Sequence, residues 1–163
     1  MKIVLLIRHA KSSWEDITID DFERPLNDRG KRDAPEMARR LLKRKQEIDA
    51  FISSPAKRAK KTALLFAEEF KFDKDKVKFQ DYLYHPSREN LLRAIESAPD
   101  KADNIAIFSH NPGITAFVNE LTETKVDDMP TCAIFAVSAD IKRWKDFQNA
   151  ARKFLYFDYP KST

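Results

Sequence analysis

Lys2-Ile3-Val4-Leu5-Leu6-Ile7-Arg8-His9 opens the chain after Met1, as an unbroken apolar run that ends on a basic pair. A short apolar run of this kind predicts a strand that is buried on both faces, here over Lys2–Arg8. Similar short runs, bounded by polar residues, recur along the chain. They predict further strands at Ala50–Ser53, Val77–Phe79, Ile105–Ser109, Cys132–Val137 and Phe154–Phe157.

Helical patterns separate several of these strands. Apolar residues recur three and four positions apart in the segments 34–42, 59–70, 91–95 and 114–121. Buried strands that alternate with amphipathic helices are typical of a mainly parallel sheet with helices on both faces. We therefore predict an α/β fold in a single three-layer domain over residues 1–163, with a sheet of about six strands.

The first helix and the segment before it are less regular. Pro35 lies inside the first helical pattern. The helix therefore either begins near Asp33, with Glu36 as its capping-box partner, or begins earlier and kinks at the proline. Residues 10–26 form a long polar stretch before this helix. Since long loops in compact domains are often functional, we expect this stretch to lie over a site.

Composition excludes two kinds of phosphate site. The 163 residues include only two glycines, Gly30 and Gly113, where an average chain of this length has roughly eleven. A dinucleotide fingerprint needs three closely spaced glycines, and a Walker-type loop needs one before its Lys-Ser/Thr pair. Neither pattern occurs in the sequence, so side chains and helix ends would have to hold any phosphate.

Charge and cysteine content narrow the class further. The formal net charge is +4, from 30 basic and 26 acidic residues, a mild excess that suits an anionic ligand and is weak support for nucleic acid. Lysine-rich runs at 43–45 and 57–61 are typical of solvated helix faces. Cys132 is the single cysteine and lies in an apolar run. We expect a buried thiol, without a disulfide inside the chain or a cysteine-based zinc site.

The sequence also carries no targeting or membrane signal. The apolar run after Met1 is interrupted by Arg8 and is too short for the core of a signal peptide, and no later stretch approaches a membrane span. We therefore expect a cytoplasmic protein without membrane association.

The residues that follow the predicted strands are chemically unusual. In an open parallel sheet, ligands bind beyond the carboxyl ends of the strands. Arg8 and His9 end and follow the first strand, Arg58 lies in the helix after the second, and His110 follows the strand Ile105–Ser109. The fold thus predicts that two histidines and two arginines meet at one edge of the sheet.

Two of these junctions predict helix N-termini at the same edge. Ser54-Pro55 and Asn111-Pro112 each place a capping residue before a proline, which is favoured as the first residue of a helix. Free N–H groups at such ends favour an anion. Arginine forks match phosphate geometry, and a neutral histidine nitrogen can attack phosphorus. Because carboxylates at metal-ligand spacing are lacking, the set predicts phosphoryl transfer with neither metal nor cofactor.

Four segments, in this order, resemble the histidine phosphatase superfamily, which includes the cofactor-dependent phosphoglycerate mutases. Leu-Leu-Ile-Arg-His-Ala at 5–10 looks like its opening block, and Arg-Pro-Leu-Asn-Asp-Arg-Gly at 24–30 matches its Pro-Leu…Gly segment. Residues 53–63 are similar to the block whose arginine binds phosphate, and Ser-His-Asn-Pro-Gly at 109–113 is similar to the block with the second histidine. The small size and the Arg-His-Ala-Lys-Ser-Ser-Trp opening resemble the short SixA-type phosphohistidine phosphatases.

The resemblance implies a phosphoglycerate mutase-like fold and roles for four residues. His9 would be the nucleophile and would form a transient phosphohistidine. Arg8, Arg58 and His110 would bind the phosphoryl group and stabilise its charge. Two nearby arginines would lower the pKa of His9 and keep its ring neutral.

The sequence departs from the family pattern at several points. Ala10 stands where the family usually has glycine, and Glu15 stands where mutases often carry an asparagine. Since an ionised Glu15 cannot donate a hydrogen bond, that asparagine's phosphate contact is not transferred. No motif supplies the general acid, for which Asp81, His85 and Glu89 are the candidates. A phosphohistidine substrate depends less on an acid, because its P–N bond is labile.

The sequence therefore favours a metal-independent phosphohistidine phosphatase acting on a phosphohistidine-bearing protein. One alternative is a small-molecule phosphomonoesterase that uses the same residues on a sugar phosphate or nucleotide. Another is a non-catalytic phosphate-binding module. Neither nucleic acid nor a membrane is expected as a partner, and no oligomeric state is predicted.

Overall fold

Six strands build one sheet in the computed structural model, which describes residues 1–161. The strands are β1 (Lys2–Arg8), β2 (Ala50–Ser53), β3 (Lys78–Phe79), β4 (Asn104–Ser109), β5 (Ile134–Ala139) and β6 (Arg152–Asp158). Their order across the sheet is β3-β2-β4-β1-β5-β6. The first two strands have the predicted bounds, and the other four are shifted by a residue or two.

The sheet is mainly parallel, as predicted. β1 pairs in parallel with β4, and β2 pairs in parallel with both β4 and β3. β5 is antiparallel to its two neighbours, β1 and β6. The carboxyl ends of β1, β2 and β4 therefore meet at one edge, which is where the chemically unusual residues were expected.

Helices cover both faces of the sheet, which confirms the three-layer prediction. The four helices are α1 (Asp28–Lys43), α2 (Lys57–Glu69), α3 (Arg88–Glu96) and α4 (Gly113–Leu121). Apolar residues of α1 and α2 pack with Leu5 and Ile7 of β1 in one cluster. Those of α3 and α4 pack with Val4 and Leu6 in the other. The alternation along β1 thus supplies both cores. Within residues 1–161, no helix has the length and apolar character needed to cross a membrane.

The first helix begins at the earlier of the two predicted positions. Asn27 caps α1, and its side chain accepts a hydrogen bond from the Gly30 N–H at 2.8 Å. Pro35 therefore lies inside the helix. Asp33 is not a cap, since its carboxylate pairs with Arg29 one turn earlier at 3.3 Å.

Both glycines lie where a loop passes against the start of a helix. A Cβ on Gly30 would overlap the carbonyl oxygen of Lys11, and a Cβ on Gly113 would overlap that of Pro86. Neither glycine has a positive φ, so close approach is what requires glycine here. The loops that contain Lys11 and Pro86 border the site described next.

Candidate active site

The four predicted site residues lie together at the carboxyl edge of the sheet. Arg8, His9, Arg58 and His110 line one cleft of about 180 Å³. The other residues that line it are Lys11, Ser12, Trp14, Arg24, His85, Asn111 and Thr131. Several of these belong to residues 10–26, so the polar stretch that was predicted to lie over a site lines this cleft.

His9 carries its proton on a defined nitrogen. Its Nδ1 lies 2.7 Å from the Ala10 carbonyl oxygen, which can only accept, so Nδ1 is the protonated nitrogen. Nε2 is then unprotonated, and the Arg58 Nε–H donates to it at 3.4 Å. Burial lowers the pKa of His9 to about 3. The hydrogen bond to Ala10 raises this pKa, and the charges of Arg58 and Arg8 lower it further. The arginines contribute as predicted, but burial is the larger cause.

Ser54 is the hydrogen-bond partner of the second histidine. The Ser54 hydroxyl accepts the Ala56 N–H at 3.2 Å and lies 2.8 Å from His110 Nε2. Since a hydroxyl has one proton and two lone pairs, it can pair with Nε2 as donor or as acceptor. Burial, followed by the charges of His9 and Arg58, lowers the pKa of His110 to about 2. His110 is therefore a neutral hydrogen-bond donor.

Two buried side-chain nitrogens within residues 1–161 have no hydrogen-bond partner, and both lie in this cleft. They are Arg8 Nε and His110 Nδ1. The other end of Arg8 is fixed, because its Nη1 donates to the Met129 carbonyl at 2.8 Å. A buried donor without a partner costs about 1–3 kcal/mol, and such groups call for a ligand or another explanation. Two unpartnered nitrogens in one cleft are compatible with an anion site.

Asp21 is a site residue that the sequence did not reveal. Its Oδ2 accepts hydrogen bonds from Arg58 Nη2 at 3.0 Å and the Tyr84 hydroxyl at 2.6 Å, and its Oδ1 accepts one from Arg24 Nε at 3.1 Å. Burial opposes ionisation, but these hydrogen bonds and the charge of Arg58 outweigh it and lower the pKa of Asp21. The ionised carboxylate therefore holds both guanidinium groups in place.

Arg24 was part of a recognised segment, but its place in the site was not predicted. Its guanidinium lies 3.6 Å from the centre of the Trp14 ring and donates to the Ser12 hydroxyl at 2.5 Å. It also forms an ion pair with Asp21 at 3.0 Å. A third arginine thus adds positive charge to the cleft.

The predicted proline-started helix ends are not found. α2 begins at Lys57, two residues after Pro55, and α4 begins at Gly113 with Pro112 as its N-cap residue. Neither proline is therefore the first residue of a helix. The buried nitrogens without a partner in this cleft are on the side chains of Arg8 and His110.

Of the three candidate acids, one borders the cleft. His85 lines it and is exposed, with a left-handed φ of 55° and its ring 4.0 Å from the Tyr84 ring. Asp81 and Glu89 are also exposed but do not line the cleft. The geometry brings only His85 near the four basic residues.

The departures from the family pattern have simple structural settings. Ala10 has no positive φ and is fully buried, and its N–H donates to Thr62 Oγ1 at 3.0 Å, so alanine fits where glycine is usual. Glu15 is exposed and does not line the cleft.

Cys132 is buried as predicted, and burial raises the pKa of its thiol above its usual range. No group of three or more His, Cys, Asp or Glu side chains among residues 1–161 is arranged to hold a metal ion.

Part of this chain matches a known protein family. Residues 4–82 match the model of the histidine phosphatase superfamily (branch 1). The matched segment, slightly under half of the chain, is similar to that superfamily. The matched residues include Arg8, His9 and Arg58, while His110 lies beyond them.

One curated protein and two solved structures each match most of this chain. An uncharacterized chloroplastic protein of Arabidopsis thaliana is 28% identical over 152 residues, which are 88% of this chain and 69% of the relative. The SixA structure from Agrobacterium tumefaciens is 23% identical, covers 98% of both chains and superposes with a TM-score of 0.80. A protein histidine phosphatase SixA in complex with tungstate is 20% identical, with 96% of both chains covered and a TM-score of 0.81. The shared fold is the phosphoglycerate mutase-like fold.

Proposed function

We propose that this chain is a metal-independent phosphohistidine phosphatase that works through a phosphohistidine intermediate on His9. The observation that carries the proposal is a pair of neutral histidines in one cleft. His9 presents an unprotonated Nε2, His110 presents an Nδ1 without a hydrogen-bond partner, to which we assign its ring proton, and the two ring centroids lie 5.1 Å apart. One ring is suited to attack phosphorus and the other to donate to a phosphoryl oxygen.

In the first step His9 Nε2 attacks the phosphorus atom of the substrate. A P–N bond to His9 forms while the P–N bond of the substrate breaks. Its electron pair leaves with the substrate's nitrogen, and the released imidazole is neutral because its other ring nitrogen carries a proton taken from solvent. Arg8, Arg58 and His110 stabilise the charge on the equatorial oxygens, and Asp21 keeps Arg58 oriented. Positioning and electrostatics supply the catalysis, as is usual for phosphoryl transfer.

In the second step water attacks the phosphorus atom of phosphorylated His9. The bond between phosphorus and Nε2 breaks, its electron pair returns to the ring, and inorganic phosphate leaves. The proton released by the attacking water passes to the phosphate or to solvent. The low pKa of His9, about 3, favours the neutral ring after release, so the nucleophile is regenerated ready for another cycle.

Two features support phosphohistidine over a phosphate ester as the substrate. Of the three candidate acids only His85 reaches the cleft, and it is exposed. Breaking a labile P–N bond requires less help from an acid than breaking a P–O bond. The tungstate-bound relative is described as a protein histidine phosphatase, which agrees with this choice.

A substrate panel run on the wild type and His9→Ala tests the proposal. A histidine-phosphorylated protein should be hydrolysed with a higher kcat/KM than a sugar phosphate or a nucleotide, and His9→Ala should lose turnover on all of them. Added imidazole, which replaces the missing ring, serves as the control that His9→Ala is folded and should restore part of the activity.

Each alternative has its own outcome in this panel. A preference for the small esters would favour the phosphomonoesterase. Vanadate binding without hydrolysis of any substrate would favour a non-catalytic module. Wild-type turnover by His9→Ala would contradict the nucleophile assignment.

A further inference from the structure

A second and larger depression lies next to the catalytic cleft. It has a volume of about 670 Å³, against about 180 Å³ for the cleft. The 3-10 turn Asp21–Glu23 borders both, because Asp21 bonds Arg58 of the cleft while Phe22 and Glu23 line the larger depression. The first turns of α2 also serve both, with Arg58 in one and Lys57 in the other.

The floor of this depression is apolar. It is formed by Phe22, Pro25, Leu26, Pro55 and Leu64, all of them partly or fully buried. The Phe22 ring stands edge-on to the Tyr84 ring of the active site, with centroids 5.1 Å apart. The Tyr84 hydroxyl bonds Asp21, which in turn bonds Arg58 of the cleft, so the floor lies close to the cleft.

The rim carries a concentration of positive charge. Lys31, Lys57, Lys60 and Lys61 line the depression, and all four are exposed. None of them forms an ion pair with another residue in the range 1–161. With Glu23 as the acidic lining residue, the rim holds a net charge of +3, while the whole chain has +4. We call this feature, with its apolar floor and four lysines, the lysine groove.

We propose that the lysine groove binds an acidic, partly apolar segment of the phosphoprotein substrate while the phosphohistidine enters the cleft. This rests on the proposed function and names the kind of partner that the site takes. A cleft of about 180 Å³ has the volume of roughly six water molecules, enough for a phosphoryl group and its imidazole. The chain on which that histidine is carried must lie outside it, and the groove lies beside the cleft, since Lys57 and Arg58 are neighbours in the chain.

The chemistry of the groove favours a protein segment over a nucleic acid. Lysines without an ion-pair partner attract carboxylates, and an apolar floor is stabilised when apolar side chains cover it. Nucleic-acid grooves add arginines and exposed aromatic rings on which bases stack. The lining of the groove has no arginine, and its one aromatic ring, Phe22, is half-buried. The lysine run at 57–61 thus has a role beyond that of a solvated helix face.

Two matched peptides test the proposal. Both carry a central phosphohistidine beside a leucine; one is flanked by aspartate and glutamate, and the other has asparagine and glutamine in their place. The groove variant is Lys31→Gln with Lys61→Gln. The control is Lys142→Gln with Lys145→Gln, which removes two exposed lysines that line another surface. The measurements are kcat/KM for both peptides and Kd for their unphosphorylated forms.

The wild type should prefer the acidic peptide, and the groove variant should lose about fivefold of that preference, as expected for two partly exposed ion pairs. The control variant should keep the wild-type preference. In both proteins, raising the salt concentration should abolish the preference for the acidic peptide. Equal kcat/KM for the two peptides in the wild type would overturn the groove while leaving the phosphatase intact.

If neither phosphopeptide is hydrolysed, the proposed function fails, and the Kd values of the unphosphorylated peptides still decide the groove. Tighter binding of the acidic form that depends on Lys31 and Lys61 would uphold it. Equal binding of the two peptides would overturn it. So would a competition experiment in which an oligonucleotide displaces the bound acidic peptide at a lower concentration than unlabelled acidic peptide does.

Discussion

Lowering the pH from 7 to 5 should destabilise this protein through His9 and His110. Both are buried, 6% and 2% exposed, and their pKa values are lowered to about 3 and about 2. In the unfolded chain both histidines take up a proton at an ordinary histidine pKa of about 6.5. In the native state neither histidine takes up a proton at that pH. Stability is therefore lost as the pH falls below 6.5, and the loss continues down to the native pKa values.

The size of the effect follows from the same values. At pH 5 the unfolded chain has gained about 2 kcal/mol from protonating each histidine, so the pair removes about 4 kcal/mol relative to pH 7. Asp21, whose pKa is lowered, loses its own contribution only as the pH falls through the ordinary carboxylate range near 3.9. A comparison that ends at pH 5 thus isolates the histidines.

Urea denaturation at pH 7 and pH 5 measures the effect. The wild type should lose about 4 kcal/mol, and His9→Asn and His110→Asn should each lose about 2 kcal/mol. His85→Asn is the control, since His85 is exposed in the fold, and it should lose as much as the wild type. If His9→Asn shows the full wild-type loss, burial of a neutral His9 is refuted.

Three further predictions follow from the contacts of the site. Ser54→Ala removes the hydroxyl that bonds His110 Nε2, which in our assignment keeps the ring proton on Nδ1, and should lower kcat about tenfold; nitrogen NMR showing the His110 proton still held on Nδ1 would contradict the reasoning. Gly113→Ala forces a Cβ onto a carbonyl oxygen and should cost about 1–3 kcal/mol of stability in thermal unfolding, so an unchanged Tm would argue against the close approach. Arg58→Lys keeps the charge but loses the fork held by Asp21 and should lower kcat/KM about 100-fold, whereas activity near that of the wild type would show that the fork is dispensable.

The sheet was largely predictable because its strands are apolar on both faces. Lys2–Arg8 and Ala50–Ser53 are bounded by polar residues and have the predicted limits. Strand direction was not predictable in the same way, since the apolar run at Cys132 is the same whether β5 runs parallel or antiparallel. The start of α1 was ambiguous because Pro35 resembles a helix start, while the decisive contact is the side chain of Asn27 on Gly30.

The basic residues of the site were predictable, and their acidic partner was not. Arg8, His9 and His110 lie at strand ends, where parallel topology brings them together. Asp21 lies in a polar stretch without periodicity, and its bonds to Arg58 and Tyr84 span sequence separations of 37 and 63 residues. Such contacts depend on how the loop folds back, which local patterns do not encode.

Trapping the phosphorylated enzyme tests the central claim most directly. The wild type is mixed with a radiolabelled histidine-phosphorylated protein and quenched in alkali during the first turnover. The label should be acid-labile and should map to His9, and His9→Ala should show none. Turnover without a labelled enzyme, or label on any residue other than His9, would contradict the account.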